Sequence, residues 1–124
     1  MINAQELRIG NTLFSNLSKR MFNVVPLDIR NLNDEPDNAS PVEITEQWLM
    51  DYHFDAELMN ADSPNNRFMV YRKWPLTYNT NHGWWYESKQ LKAQPKYIHK
   101  LQNLWYELTG EELTAEPAQI AQTI

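Results

Sequence analysis

Pro95-Lys96-Tyr97-Ile98-His99-Lys100-Leu101-Gln102-Asn103-Leu104-Trp105-Tyr106-Glu107-Leu108-Thr109-Gly110 is the segment on which the architecture turns, because its local signals all agree. At about 100° per residue, Tyr97, Ile98, Leu101, Leu104, Trp105 and Leu108 fall within an arc of about 120°, with the polar side chains opposite. That spacing predicts an amphipathic helix laid on a sheet. Pro95 suits the first turn, where a missing N–H costs nothing, and Gly110 suits the left-handed residue just past the end. His99, Gln102, Asn103 and Tyr106 lie on the polar side. A merely solvated face does not require these four, so they form a candidate polar interaction face, suited either to a small polar ligand or to packing on the second β unit, which the strands between residues 67 and 86 are expected to form.

Upstream of this helix the periodicity is that of strands. Residues 11 to 15 and Met21-Phe22-Asn23-Val24-Val25, joined by the turn-rich Ser15-Asn16-Leu17-Ser18-Lys19, predict a hairpin. Leu27-Asp28-Ile29-Arg30 alternates and predicts a third strand, giving a meander that could curl toward a small open barrel. Residues 31 to 41 read as a polar loop. Thr45 is a natural helix N-cap with Glu46 in the first turn, and Trp48, Leu49 and Tyr52 share one face of a helix about two turns long. Phe54 to Met59 fits either period, and residues 60 to 66 have loop composition. Arg67 to Trp74 predicts a strand that Pro75 ends. Leu76-Thr77-Tyr78 and Trp84-Trp85-Tyr86 flank a turn in which Gly83 supplies a positive φ, so a second hairpin follows. Residues 89 to 93 add a short edge strand.

Three blocks carry a resemblance: Glu6-Leu7-Arg8-Ile9-Gly10-Asn11, Pro41-Val42-Glu43-Ile44-Thr45-Glu46-Gln47-Trp48-Leu49, and Tyr97 through Leu113. Together they resemble a family of small uncharacterised proteins of Bacteroidota genomes, prophages and phages, which open on Leu-Arg-Ile-Gly-Asn and close on a His-x-Leu-Gln-Asn-Leu helix. Where those proteins carry Phe-Gly-Phe after the Trp helix, this chain has Tyr52-His53-Phe54. The resemblance implies a phage or mobile-element connection and supplies no catalytic residues.

Composition bounds the rest. The chain has 124 residues, 42% of them hydrophobic and 12% aromatic, enough for one domain with a sizeable core. Residues 1–113 are expected to form that domain and 114–124 a flexible tail. There is no cysteine, hence no disulfide, thiolate metal site or cysteine nucleophile. No apolar run approaches a membrane span and the start lacks the pattern of a signal peptide, so a cytoplasmic protein without a membrane partner is expected. With three glycines neither a P-loop nor a dinucleotide fingerprint can be built. No serine sits in a nucleophile's context. Asp51, His53 and Asp55 would point one way on an extended chain, but their spacing matches no metal motif, and no metal or cofactor is expected.

Net charge is −5, which argues against a surface devoted to nucleic acid. Its distribution is uneven. Residues 1 to 66 carry eleven acids against four bases, whereas 67 to 100 carry seven bases against Glu87 alone. In that basic stretch Arg72, Lys73, Trp74, Trp84 and Trp85 could stack bases and hold phosphates of a single strand. Alternation along a strand would equally bury the aromatics and leave the bases solvated. The sequence therefore predicts an α+β fold: an antiparallel meander, a second β-hairpin unit, one short helix and the C-terminal helix on the sheet. It points to a non-enzymatic accessory or interaction protein that engages a protein partner or forms a homo-oligomer, with single-strand nucleic-acid binding as the alternative.

Overall fold

The computed structural model of the chain describes residues 2–60 and 67–114. It is an α+β fold with a three-stranded and a five-stranded antiparallel sheet. Both sheets are open, so the barrel suggested by the meander does not form. The chain divides into two compact units. One takes the residues up to Ile44 with Pro95–Glu112; the other takes Thr45–Gln94 and, from the described end of the chain, Leu113 and Thr114.

In the first unit, β1 (Thr12–Ser15) lies between β2 (Arg20–Asn23) and β3 (Ala39–Pro41). The register sets Leu13 opposite both Phe22 and Pro41. Leu13 is fully buried, and Ile2, Ala4, Leu7, Val24, Leu32 and Ala39 complete the core around it, with Phe22 and Ile29 packed against them. The predicted third strand at 27–30 is instead part of a helix, α1 (Pro26–Asp34). Pro26 fits its first turn, and the Asp28 carboxylate accepts from the Val25 N–H at 2.9 Å, satisfying a donor the helix leaves open. Ile29 and Leu32, three apart, face the core while Leu27 stays exposed. Four alternating residues fitted both periods, and the capping chemistry decided. The third strand comes from Ala39–Pro41, inside the stretch read as a loop, whose Ala-Ser-Pro carries no alternation of its own.

The last helix of this unit is α3 (Ile98–Thr109). Ile98, Leu101 and Trp105 are buried as the helical wheel requires. Gly110 closes the helix at φ +74°, its N–H donating to the Tyr106 carbonyl at 2.8 Å. Pro95 does not occupy the first turn, because the helix starts later, at the N-cap Tyr97. The lead-in is extended instead: Ile44 N donates to Lys96 O at 3.0 Å and Ile98 N to Val42 O at 2.7 Å.

The second unit opens with α2 (Glu46–Asp51), capped by Thr45, whose hydroxyl accepts from Trp48 N at 3.3 Å. A meander of β4 (Asp55–Asn60), β5 (Arg67–Lys73), β6 (Leu76–Asn79), β7 (Gly83–Tyr86) and β8 (Lys89–Gln90) follows in sequential order. Phe54 to Met59, ambiguous by period, resolves as a strand. Tyr71 pairs with Tyr78 and Tyr78 with Trp84, so three rings share one face, with centroids 6.4 and 5.0 Å apart. Phe54 meets Trp84 edge-on at 5.9 Å. With Leu49, Tyr52 and Leu76 they make this unit's core. The loop expected at 60–66 falls for the most part, and the tail expected at 114–124 almost entirely, outside the described residues. Among the described residues no helix is long and apolar enough to cross a membrane.

Candidate functional site

Among the described residues nothing covers the face of the five-stranded sheet opposite its aromatic core. Register assigns it: Glu57 pairs with Val70, Val70 with Asn79, Arg72 with Thr77 and Thr77 with Trp85. Met59 and Phe68, also paired, extend the row toward β4. The result is a shallow hollow of about 290 Å3 with Met59, Phe68, Val70 and Trp85 as its apolar floor. Arg72, Thr77, Asn79 and Glu87 line it as well. Arg72 is engaged by a salt bridge to Glu57. With the Arg72 charge matched by Glu57, Glu87 leaves the hollow with a negative balance.

The five residues singled out as a nucleic-acid surface do not converge. Arg72 and Trp85 lie on the open face. Trp84, their neighbour in sequence, is 2% exposed and belongs to the core, so its indole is closed to a base. Lys73 projects from the core side of β5 and donates to the Tyr52 carbonyl at 2.6 Å. Trp74 is 76% exposed in the turn between β5 and β6, ahead of a cis peptide to Pro75. Strand alternation separates them, as it must for adjacent positions. Phe68, Thr77, Asn79, Met59 and Glu87 were not singled out. Extending the alternation of Phe68, Val70 and Arg72 across paired strands would have found them, but that needs the register.

The polar side of α3 is committed within its own unit. The Gln102 side-chain oxygen accepts from Thr12 N at 2.8 Å and its amide donates to the Thr12 hydroxyl at 3.2 Å. The Asn103 oxygen accepts from Asn11 Nδ2 at 2.9 Å and from Arg8 Nη1 at 3.3 Å, while its amide donates to Glu6 O at 2.8 Å. Asn11 Oδ1 in turn accepts from Arg8 N at 2.6 Å. The Arg8 guanidinium stacks over Tyr106, 4.0 Å from the ring centre, and pairs with Glu112 at 2.5 Å. Asn11 is 1% and Gln102 6% exposed. These groups fasten the helix to the segment Glu6–Thr12.

His99 is the member with something left over. It is 3% exposed, stacked on Tyr97, and its Nδ1 is buried without a hydrogen-bond partner among the described residues. Nε2 lies 3.9 Å from Glu6 Oε2, and the other oxygen of that carboxylate, Oε1, meets Lys100 Nζ at 3.4 Å. Burial pushes the imidazole below its ordinary value, Glu6 pulls it back in part, and Lys100 adds to the depression. The unfolded histidine therefore takes a proton first as pH falls. Stability contributed by neutral His99 is complete above the unfolded pKa of about 6.5 and is lost as pH falls from there through the lower folded value. Urea midpoints measured between about pH 7.5 and 5.5 should fall on acidification in the native chain and fall less in His99→Gln; equal slopes would mean that His99 is not held neutral.

Asp51, His53 and Asp55 do not form an extended row. Asp51 ends α2, His53 is left-handed at φ +68° and Asp55 begins β4. Among the described residues no group of three His, Cys, Asp or Glu is placed to hold a metal ion. A second hollow, of about 260 Å3, lies in the first unit between the β1–β2 turn and α1, but Asp28, the acid on its wall, is already engaged by Val25 N. No family model matches the chain, and no curated protein or solved structure is significantly similar to it.

Proposed function

We propose that this protein acts by contact with another protein, as a non-enzymatic accessory protein of a phage or mobile element working in the cytoplasm. The observation that carries the reading is the open sheet face, with Phe68, Val70, Met59 and Trp85 as its floor and acidic side chains beside it. Apolar area with a large aromatic supplies an anchor, and the excess of Glu57 and Glu87 over Arg72 selects the sign of the partner. The partner chemistry is a protein segment with an apolar anchor flanked by basic side chains. The phage or mobile-element setting rests on the resemblance of the Glu6–Asn11, Pro41–Leu49 and Tyr97–Leu113 blocks.

Titration calorimetry at low salt tests it, with three short probes: an extended peptide alternating Leu and Lys, its Leu and Glu counterpart, and a single-stranded oligonucleotide. The Leu/Lys peptide should bind at least about tenfold tighter than the acidic one, and Trp85→Ala should weaken it by about tenfold or more. Trp74→Ala, in a turn away from the hollow, should leave it unchanged. No binding of the basic peptide, or binding indifferent to Trp85→Ala, overturns the reading. Oligonucleotide binding that falls steeply with salt would turn the assignment to single-strand nucleic acid, the alternative for this stretch.

A further inference from the structure

Among the described residues the two sheets have four edge strands, and these are not equivalent. A strand edge offers unpaired N–H and C=O groups to any other strand, and proteins blunt it with short length, charged side chains, lysine above all, or proline. β8 has two residues and begins with Lys89; β3 has three and ends on Pro41; β2 has four and begins with Arg20. β4 has six residues, Asp-Ala-Glu-Leu-Met-Asn, with no proline and no basic side chain. It is the outer strand of its sheet, and Asp55, Ala56, Glu57 and Leu58 are exposed in succession, so solvent reaches both of its faces. Glu57, which would repel an acidic neighbour, is drawn back toward β5 by Arg72.

We propose that β4 pairs antiparallel with β4 of a second copy of this chain, joining the two five-stranded sheets edge to edge. Register argues for the second copy. A two-fold axis perpendicular to the sheet keeps each face continuous and requires residues of like orientation to meet. Two such registers pair five residues of the strand. The one centred on Glu57 sets that carboxylate against itself, which is unfavourable. The one centred on Leu58 sets Leu58 against the second copy's Leu58 and Glu57 against the second copy's Met59, with no acid facing an acid. Because Leu58 pairs with Met69 inside each sheet, the join makes an apolar row Met69–Leu58–Leu58–Met69 across the axis. That row covers a leucine which is 53% exposed in the single chain. On the other face the two Met59–Phe68 floors come side by side, so the open surface described above becomes continuous over both copies.

This inference shares the premise that the protein works by protein contact, but it uses the strand edge rather than the hollow, and the two can fail separately. Pairing of one short edge buries less than a standard interface, so the dimer should be concentration-dependent. Sedimentation velocity from about 1 μM to about 1 mM should show the average mass rising from one chain toward two. Leu58→Lys sets ammonium against ammonium at the axis and should hold the protein at one chain throughout. Leu17→Lys, on a still more exposed leucine of the β1–β2 turn, should dimerise like the native chain, and so should Trp85→Ala. Native β4 amides should exchange more slowly with deuterium as concentration rises, a readout that needs no variant. Native protein that stays at one chain with unprotected β4 amides overturns the proposal, as does a dimer that Leu58→Lys leaves intact.

Discussion

Trp84→Ala should cost about 3–5 kcal/mol of folding stability, whereas Trp85→Ala, one residue on, should cost about 1 kcal/mol or less. Trp84 is 2% exposed and packs between Tyr78 and Phe54, so truncation removes two ring contacts and leaves a cavity that the stiff neighbouring rings cannot close. Trp85 lies on the open face, where water fills the space it vacates. A domain of this size is stable by about 5–15 kcal/mol, so the first change removes a large share of the total. Guanidinium unfolding of the two variants gives the comparison directly. The reverse order, with Trp85→Ala the costlier change, would mean that β7 is shifted by one residue against β6, since a one-residue slip exchanges the two faces.

The same pair shows how far the sequence could be read. Trp84-Trp85-Tyr86 announces a strand, and alternation announces that adjacent rings go to opposite faces. Which ring goes inward depends on what the partner strands offer, and both faces of this sheet offer apolar side chains: Tyr71, Leu76 and Tyr78 on one, Phe68 and Val70 on the other. A sheet apolar on both sides gives no one-sided pattern, so the basic and aromatic stretch could not be sorted into surface and core. The helix Ile98–Thr109 was legible because its caps, length and period agree. Residues 27–30 were misread because four residues are too few to separate a period of two from one of 3.6, and the deciding group, the Asp28 carboxylate at the Val25 N–H, is a cap rather than a period. Ala39–Pro41 carried no signal of its own; pairing with β1 makes it a strand. Glu6–Asn11 and the helix Ile98–Thr109, far apart in sequence, are in space one contact.

That contact should be worth more than its exposed charges suggest. Gln102→Leu, close in volume, should cost about 2–4 kcal/mol, because it strips the acceptor from the buried Thr12 N–H and the donor from the Thr12 hydroxyl without supplying either. Asn11→Ala should cost about 1–3 kcal/mol for the lost acceptor at Arg8 N and the lost donor to Asn103. The outer pairs are different in kind. Glu6 and Lys100 are both substantially exposed, so Lys100→Ala should move stability by less than about 0.5 kcal/mol. Asn11 Nδ2 also reaches the Gln102 oxygen at 3.4 Å, so the two buried amides share partners and their losses should not add. A double-mutant cycle between Asn11→Ala and Gln102→Leu, read by urea unfolding, should give a coupling of about 0.5–2 kcal/mol. Strict additivity, with Gln102→Leu near neutral, would mean that water serves Thr12 as well as the glutamine does. In that case the helix would be held by Ile98, Leu101 and Trp105 alone, and the polar side chains opposite them would again be available to a ligand.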